Sequence, residues 1–290
     1  MWVAMANRTI EISDVTIGET TIPADETGSA HLTARENGVM SGIDVFAAAF
    51  AAQNPAVTVT AAIKDGERFQ RGQILATVKG PVRDLLTAER IALNFTQRMS
   101  GIATMTAAFV DAVNAIYGDD YDGPVTRPRR YERTRIVDTR KTTPGMRVLD
   151  KMAVKIGGGE NHRMGLFDMI LLKDNHIDFA GGIRKAIHGA REYLRAKGKD
   201  IPIECEVRSL EDIDEVFAAG GVDRIMFDNF TPAMTREAVK KVAGRCETES
   251  SGGITLSTMR DYAECGVDFI SVGALTHQIK SLDMSLKACE

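Results

Sequence analysis

IPIECEV (201–207), RIMFD (224–228), CETESSGG (246–253) and DFISVG (268–273) are the runs whose reading decides the fold. Each is a short run that ends in a polar residue or a glycine. Their ends, at Glu206, Asp228, Ser251 and Gly273, lie about 22–25 residues apart, the length of one strand plus one crossover helix. Residues 210–217, 234–242 and 256–263 lie between them and carry apolar side chains at i, i+3 and i+4, the pattern of amphipathic helices. Upstream, Ile136 and Val137 lead into Asp138, MILLK (169–173) ends at Lys173, and residues 183–194 have helical spacing. Successive βα units form either a doubly wound sheet or a barrel. The barrel explains more, because active residues of βα-barrels sit at strand C-terminal ends, where polar residues recur here. A doubly wound sheet uses mainly one crevice. Neither GxGxxG nor GxxxxGK[ST] follows a strand, so Rossmann and P-loop readings are weak.

The rest of the chain fits a globular protein. It has 290 residues and 31.6 kDa, and is 44% hydrophobic and 26% charged, with 26 Gly and 8 Pro, which excludes disordered, collagen-like and coiled-coil classes. No run of about 18 or more apolar residues occurs, which argues against a membrane span. The opening MWVAMANRTIEIS lacks the basic and apolar regions of a secretory signal. Cys205, Cys246, Cys265 and Cys289 form no CxxC pair and fit free thiols in a reducing cytoplasm. Residues 30–39 read as strand broken at an Asn-Gly turn, 43–52 as helix and 57–62 as strand. KDGERFQRGQILATVKGP (64–81) has the turn punctuation of a small antiparallel sandwich, like that of biotinyl or lipoyl carrier domains, but no lysine at a tight turn for modification. Residues 84–115 read as one long helical pattern interrupted near Ser100 and Gly101.

Charge is unevenly spread. The chain sums to −4, which argues against a general nucleic-acid binder. Residues 127–173 hold twelve Lys/Arg against five Asp/Glu, a local +7, so the remainder is −11 (24 basic minus 35 acidic). A cationic block in an acidic chain suggests a site for small polyanions.

Five segments carry the chemistry. DTRKTTPGMR (138–147) places Thr139, Arg140 and Lys141 after a strand; arginine grips a carboxylate with a planar fork, and lysine supplies a mobile point charge. KIGGGENHRMG (155–165) follows three glycines with His162 and Arg163. FDMILLKDNHI (167–177) puts Lys173 at a strand end, where it serves either as an anion ligand or as a Schiff-base nucleophile. Glu206 and Asp228 end consecutive strands, and two carboxylates about 4.8 Å apart can hold Mg²⁺, which prefers few carboxylates plus phosphate oxygens and water. ESSGGI (249–254) and VGALTH (272–277) are late glycine-containing loops of the kind that cradle phosphate, with Ser251, Gly252, Gly253, Gly273 and His277 as its lining. The combination describes group transfer between a polyacid and a phosphorylated sugar.

Together with ERIALNFTQRMSGIAT (89–104), these segments resemble the quinolinate phosphoribosyltransferase family, in family order over about residues 30–286. The long GGGENHRMGLFDMILLKDNHI stretch is the most specific. A related pyrophosphorylase-like protein linked to molybdenum metabolism shares TRKT and the His-Arg pair but matches less well after the lysine strand. The resemblance implies attack of the quinolinate nitrogen on C1 of phosphoribosyl pyrophosphate, with Mg²⁺ assisting the departure of pyrophosphate. Loss of CO₂ then gives nicotinate mononucleotide, a NAD precursor. It implies that Arg140, His162, Arg163 and Lys173 hold the two carboxylates, with Thr139 in the same substrate site. Lys141 would meet the donor, Glu206 and Asp228 would serve Mg²⁺ and the ribose, and Ser251, Gly252, Gly253, Gly273 and His277 would surround the 5′-phosphate. Arg90 matches an arginine that the family inserts from a neighbouring subunit, which implies a homodimer.

The expected fold is α/β: an N-terminal α/β sandwich over 1–105, completed by about 278–290, and an incomplete TIM-like α/β barrel over 106–277 with fewer than eight regular strands. Two departures from the family pattern stand out. The family carries a helix before its first strands, which this chain begins near or after, and residues 117–134 are longer than the family's usual link, as a surface insertion would be. The competing readings are a phosphoribosyltransferase for another aromatic acid, a Schiff-base lyase using Lys173, and a polyanion-binding module over 127–141.

Overall fold

The computed structural model describes residues 21–116 and 133–289, in two compact units. The expectations about the chain's start and about residues 117–132, including the first part of the basic block, lie outside the described residues.

The first unit comprises the described residues up to Ala107 with Val148–Gly158 and the C-terminal segment. Its main sheet has four antiparallel strands in the order β12-β1-β5-β3: β1 (Thr27–Ala34), β3 (Thr58–Ala61), β5 (Ile74–Pro81) and β12 (Met284–Ala288). β12 pairs with β1 from Ala30↔Ala288 to Ala34↔Met284, so the last strand in the chain edges the first sheet. A two-stranded ribbon joins β2 (Gly38–Val39) to β4 (Arg68–Phe69). The alternation along β1 turns Leu32 and Ala34 into a core shared with Leu75 and Val78 of β5 and with Phe46 and Phe50 of α1 (Ile43–Gln53). α3 (Arg147–Ile156), apart from Arg147 itself, belongs to this unit, whereas the sequence reading placed all of 106–277 in the barrel.

α2 (Val82–Ile116) runs unbroken for 35 residues, which corrects the expected interruption near Ser100 and Gly101. Gly101 is there for close approach rather than as a breaker: a Cβ on it would strike the Lys280 carbonyl. Ser100 Oγ takes the Ser41 N–H at 3.1 Å and donates to the Ser41 carbonyl at 3.2 Å, so its hydroxyl serves a neighbouring loop and leaves the helix ladder intact. By length and composition α2 could cross a membrane, but 56% of its most apolar window is buried within the protein, as in a core helix.

Among its described residues the second unit holds six parallel strands in the order β6-β11-β10-β9-β8-β7. They are β6 (Arg135–Val137), β7 (Ile170–Leu172), β8 (Ile203–Val207), β9 (Arg224–Asp228), β10 (Glu247–Ser251) and β11 (Phe269–Ser271). Each neighbouring pair is parallel. The order is that of a barrel: β7 to β11 follow one another and β6 then joins β11. Among the described residues β6 and β7 do not pair, and the free side of β6 carries a parallel bridge from Val137 to Glu160. The expected incomplete barrel with fewer than eight strands is therefore the observed one. Helices α4 (Asp174–Ala180), α5 (Ile183–Lys197), α6 (Leu210–Ala219), α7 (Pro232–Val242) and α8 (Met259–Ala263) supply the crossovers, and the short α9 (Ala274–His277) follows β11. Local chemistry sets their starts. Ser209 caps α6 in a capping box with Asp212, and Thr231 caps α7 ahead of Pro232 at the first turn.

Candidate active site

All the site residues read from the sequence, apart from Arg90, belong to the second unit. Arg90 lies on the exposed side of α2 in the first unit. The others follow strand ends. Thr139, Arg140 and Lys141 come after β6, and Lys173 after β7. Glu206 ends β8, Asp228 β9 and Ser251 β10, and Gly273 follows β11. Parallel register makes these ends converge: Glu206 faces Met226, and Ser251 faces Asp228.

The cationic part centres on Arg140 and Arg163. Burial first, then the charge of Arg140, lower the pKa of Arg163. The Nη1 of Arg140 is buried without a hydrogen-bond partner. A buried, unmet guanidinium donor beside a second arginine is a site built for an anion, because desolvating such a group unpaired is costly. The loop carrying Arg163 is fixed in place. Asp168 accepts the N–H groups of Met164 at 2.6 Å and Gly165 at 2.9 Å. Arg163 donates to the Met169 carbonyl, and Arg147 to the Met164 carbonyl, each at 3.3 Å.

His162 is not open to the mouth. Its Nε2 stands 2.8 Å from Glu204 and 3.5 Å from Glu249, with its side chain only 5% exposed. Its Nδ1 accepts the Arg163 N–H at 2.8 Å, and its own N–H reaches the fully buried Asp138 at 2.9 Å. Both ring nitrogens are thus engaged inside the protein. Nδ1 must offer a lone pair to that N–H, so the ring proton sits on Nε2, facing the carboxylates.

Below the mouth lies a charged barrel interior that the sequence reading passed over. Arg224 donates to Glu249 at 2.9 Å and to Glu247 at 3.0 and 3.1 Å, and its guanidinium covers the Phe269 ring at 3.8 Å. Burial and the neighbouring charge of Glu204 push the Glu249 carboxyl up to about 7. Glu204 moves the other way: burial opposes ionisation, but His162 and Arg224 outweigh it. Within this coupled pair ionisation is favoured at Glu204 and opposed at Glu249. Burial works against a charged His162, and Glu249 and Glu204 outweigh it, raising its pKa. The ligand atoms of His162, Glu204 and Glu249 lie within 4.8 Å of one another, a set that could hold a metal ion. Here the direct His162–Glu204 contact and the Arg224–Glu249 pair already balance those charges. The signal was strand parity: Glu204 lies two residues before Glu206 and Glu249 two before Ser251, so each shares a face with its neighbour at the mouth.

The acidic part is Glu206 with Asp228. Burial, then the charge of Asp228, raise the pKa of Glu206, against the pull of Lys173. A buried carboxyl whose ionisation a neighbouring carboxylate opposes is relieved by a divalent cation between the two, so the donor set fits Mg²⁺. Lys173 itself is exposed, whereas a Schiff-base lysine is activated by desolvation in an apolar pocket.

The remaining residues form a small-residue cradle. A methyl group added to Gly273 would lie 3.0 Å from His277 Nε2 and 3.2 Å from Lys141 Cδ, so these three side-chain positions meet. Thr276 Oγ1 donates to the Lys141 carbonyl at 2.9 Å, and Thr139 Oγ1 accepts the Lys141 N–H at 3.1 Å, tying the β6 loop to α9. Gly253 has a φ of 62° and nothing within 4 Å of where a Cβ would stand, which leaves room for a ligand beside its backbone.

The chain as a whole is similar to known proteins. Residues 102–287 match the family model described as quinolinate phosphoribosyl transferase, C-terminal domain, and residues 14–100 match the corresponding N-terminal domain. The chain is 40% identical over 301 residues to quinolinate phosphoribosyltransferase [decarboxylating] 2, mitochondrial, of Nicotiana glauca, covering 99% of this chain and 80% of that one. It is 40% identical to a probable nicotinate-nucleotide pyrophosphorylase [carboxylating] of Bacillus subtilis (strain 168), covering 95% and 89% of the two chains. The crystal structure of NadC from Streptococcus pyogenes superposes with a TM-score of 0.88 at 39% identity, covering 99% of this chain and 96% of that one.

Proposed function

The chain belongs to the quinolinate phosphoribosyltransferase family, and from that premise we propose how its residues carry out the transfer of a phosphoribosyl group from phosphoribosyl pyrophosphate to quinolinate. The products are nicotinate mononucleotide, pyrophosphate and CO₂. The observation that carries this reading is the buried, unpartnered Nη1 of Arg140 beside Arg163.

Arg140, Arg163 and Lys173 receive the two quinolinate carboxylates and aim the ring nitrogen at C1 of the sugar. Fixed cations offset the desolvation of a dianion and turn a bimolecular encounter into an oriented one. His162 serves this pocket from beneath by holding Arg163. Lys141 reaches the donor, and Ser251, Gly252, Gly253, Gly273 and His277 surround its 5′-phosphate. Glu206 and Asp228 would hold the ribose and Mg²⁺, and the bound cation would supply positive charge against that developing on the departing pyrophosphate. After transfer the ring nitrogen is positive. The bond from C2 to the carboxylate then breaks with its electron pair remaining on the ring, CO₂ leaves, and C2 takes a proton from solvent. The protein need only position and desolvate the 2-carboxylate.

We further propose a homodimer in which Arg90, exposed on α2, completes the carboxylate pocket of the neighbouring copy. The four cysteines are free and three of them are buried, which fits a reducing compartment, and we propose the cytoplasm.

Calorimetric titration with quinolinate and with nicotinate tests the pocket. Quinolinate should bind the wild type at least tenfold more tightly than nicotinate, which lacks the second carboxylate, and Arg140→Ala should abolish the difference. Equal binding of the two acids would assign the pocket to another aromatic acid.

A further inference from the structure

Two residues other than glycine have left-handed backbone among the described residues, Asn229 (φ 55°) and Ala243 (φ 51°). Ala243 has a local reason: it closes the C-terminus of α7. Asn229 caps no helix, since Thr231 caps α7, and its conformation instead serves three contacts at the barrel mouth. Its Nδ2 donates to Asp228 Oδ2 at 2.7 Å; the amide is oriented this way because a carboxylate accepts. Its backbone N–H donates to the Ser251 carbonyl at 2.9 Å, joining the ends of β9 and β10. Its Oδ1 lies against Gly252, where any Cβ would run into it. Gly252 itself has a φ of 103°. One side chain thus touches both the carboxylate that ends β9 and the glycine that begins the loop after β10. Unusual backbone held in place by its surroundings gathers at functional sites, where it aims groups that regular structure cannot.

We propose that Asn229 is a positioning residue that locks the Asp228 carboxylate and the loop of Gly252 and Gly253 into one geometry, and so couples the ribose subsite to the 5′-phosphate subsite. The inference rests on the functional reading above, which makes both subsites parts of one donor site. It adds a residue that touches neither acid nor donor and sets where both halves of the donor lie. Asparagine suits the position for two reasons. It tolerates left-handed backbone, and its amide offers a donor to Asp228 together with an acceptor on the side of Gly252.

The test uses the full-length protein and ribose 5-phosphate as a non-reacting probe, titrated by calorimetry. Asn229→Gly keeps the backbone freedom and removes the side chain. Asn229→Asp keeps the size and puts a second carboxylate beside Asp228. Both should bind ribose 5-phosphate about tenfold more weakly than wild type, the scale of coupling between contacting residues. Thermal midpoints should stay within a few degrees, and the KM for quinolinate within about twofold. Wild-type binding with unchanged affinity in Asn229→Gly overturns the coupling. Loss confined to quinolinate also overturns it, because the residue would then serve the other pocket. Failure of the wild type to bind ribose 5-phosphate would instead overturn the donor-site reading on which the inference stands.

Discussion

His162 is clamped from both sides: Nε2 meets Glu204 at 2.8 Å inside the barrel, and Nδ1 takes the Arg163 N–H at 2.8 Å at its mouth. The imidazole therefore joins a buried charge network to the loop that carries Arg163. A histidine next to an arginine in sequence suggests two parallel ligands. In the structure the two are also bonded to each other, the imidazole Nδ1 accepting the Arg163 N–H.

Arg163→Ala should raise the KM for quinolinate by about 30-fold or more while leaving the fold intact. That corresponds to roughly 2 kcal/mol or more, the cost of deleting one partner of a desolvated charge pair. Steady-state kinetics with quinolinate varied at saturating donor is the measurement. An unchanged KM removes Arg163 from the pocket.

His162→Gln should weaken quinolinate binding less than Arg163→Ala does, because it loosens the loop without removing a ligand. An effect as large as that of Arg163→Ala, with the Arg163 loop unmoved in a crystal structure, would make the imidazole a direct ligand.

The raised Glu249 carboxyl in the barrel interior gives stability a pH dependence. The folded-state pKa of Glu249 is raised to about 7, above the ordinary carboxylate value. Folding therefore holds a proton that the unfolded chain releases above about pH 4.3. That contribution is complete below the unfolded value and is lost as pH rises through 7. The groups facing Glu249 are Glu204, His162, Arg224 and Ser271. The thermal midpoint of the wild type should fall between pH 5 and pH 8, and Glu249→Gln, which cannot ionise, should flatten the curve. Equal slopes in the two proteins would place the proton elsewhere.

Arg98 and Asp150 form a two-pronged pair in the first unit at 2.9 and 3.0 Å, with Asp150 fully buried. Removing the arginine strands a buried carboxylate, so Arg98→Ala should destabilise the protein by about 3–5 kcal/mol. Thermal scans should show a midpoint lower by several degrees, and an unchanged midpoint would mean that water replaces the guanidinium.

Lys173 should form no Schiff base. Borohydride treatment in the presence of carbonyl substrates should leave the mass of the protein unchanged. A reduced adduct on Lys173 would reinstate the lyase reading.

Much of the barrel was legible because strand ends carry its chemistry at a regular spacing. Glu206, Asp228, Ser251 and Gly273 lie where that spacing put them, at the ends of β8, β9 and β10 and just after β11. The interior was less legible. Glu204, Arg224 and Glu249 are charged residues on strands, and charge on a strand ordinarily signals solvent. Only the pairing of Glu204 opposite Arg224 and Arg224 opposite Glu247 shows that they neutralise one another inside. Gly101 misled for a related reason: a glycine in a helix reads as weakness until the carbonyl of Lys280 is seen against it. Asn229 carried no motif signal of its own, since left-handed backbone at a single position leaves little trace in sequence.

The most direct test of the account is an assay with quinolinate, phosphoribosyl pyrophosphate and Mg²⁺ that detects nicotinate mononucleotide and CO₂ together. The account predicts both products in equal amounts, and neither when Mg²⁺ is chelated. Absence of both products from a folded protein supplied with Mg²⁺ would contradict it.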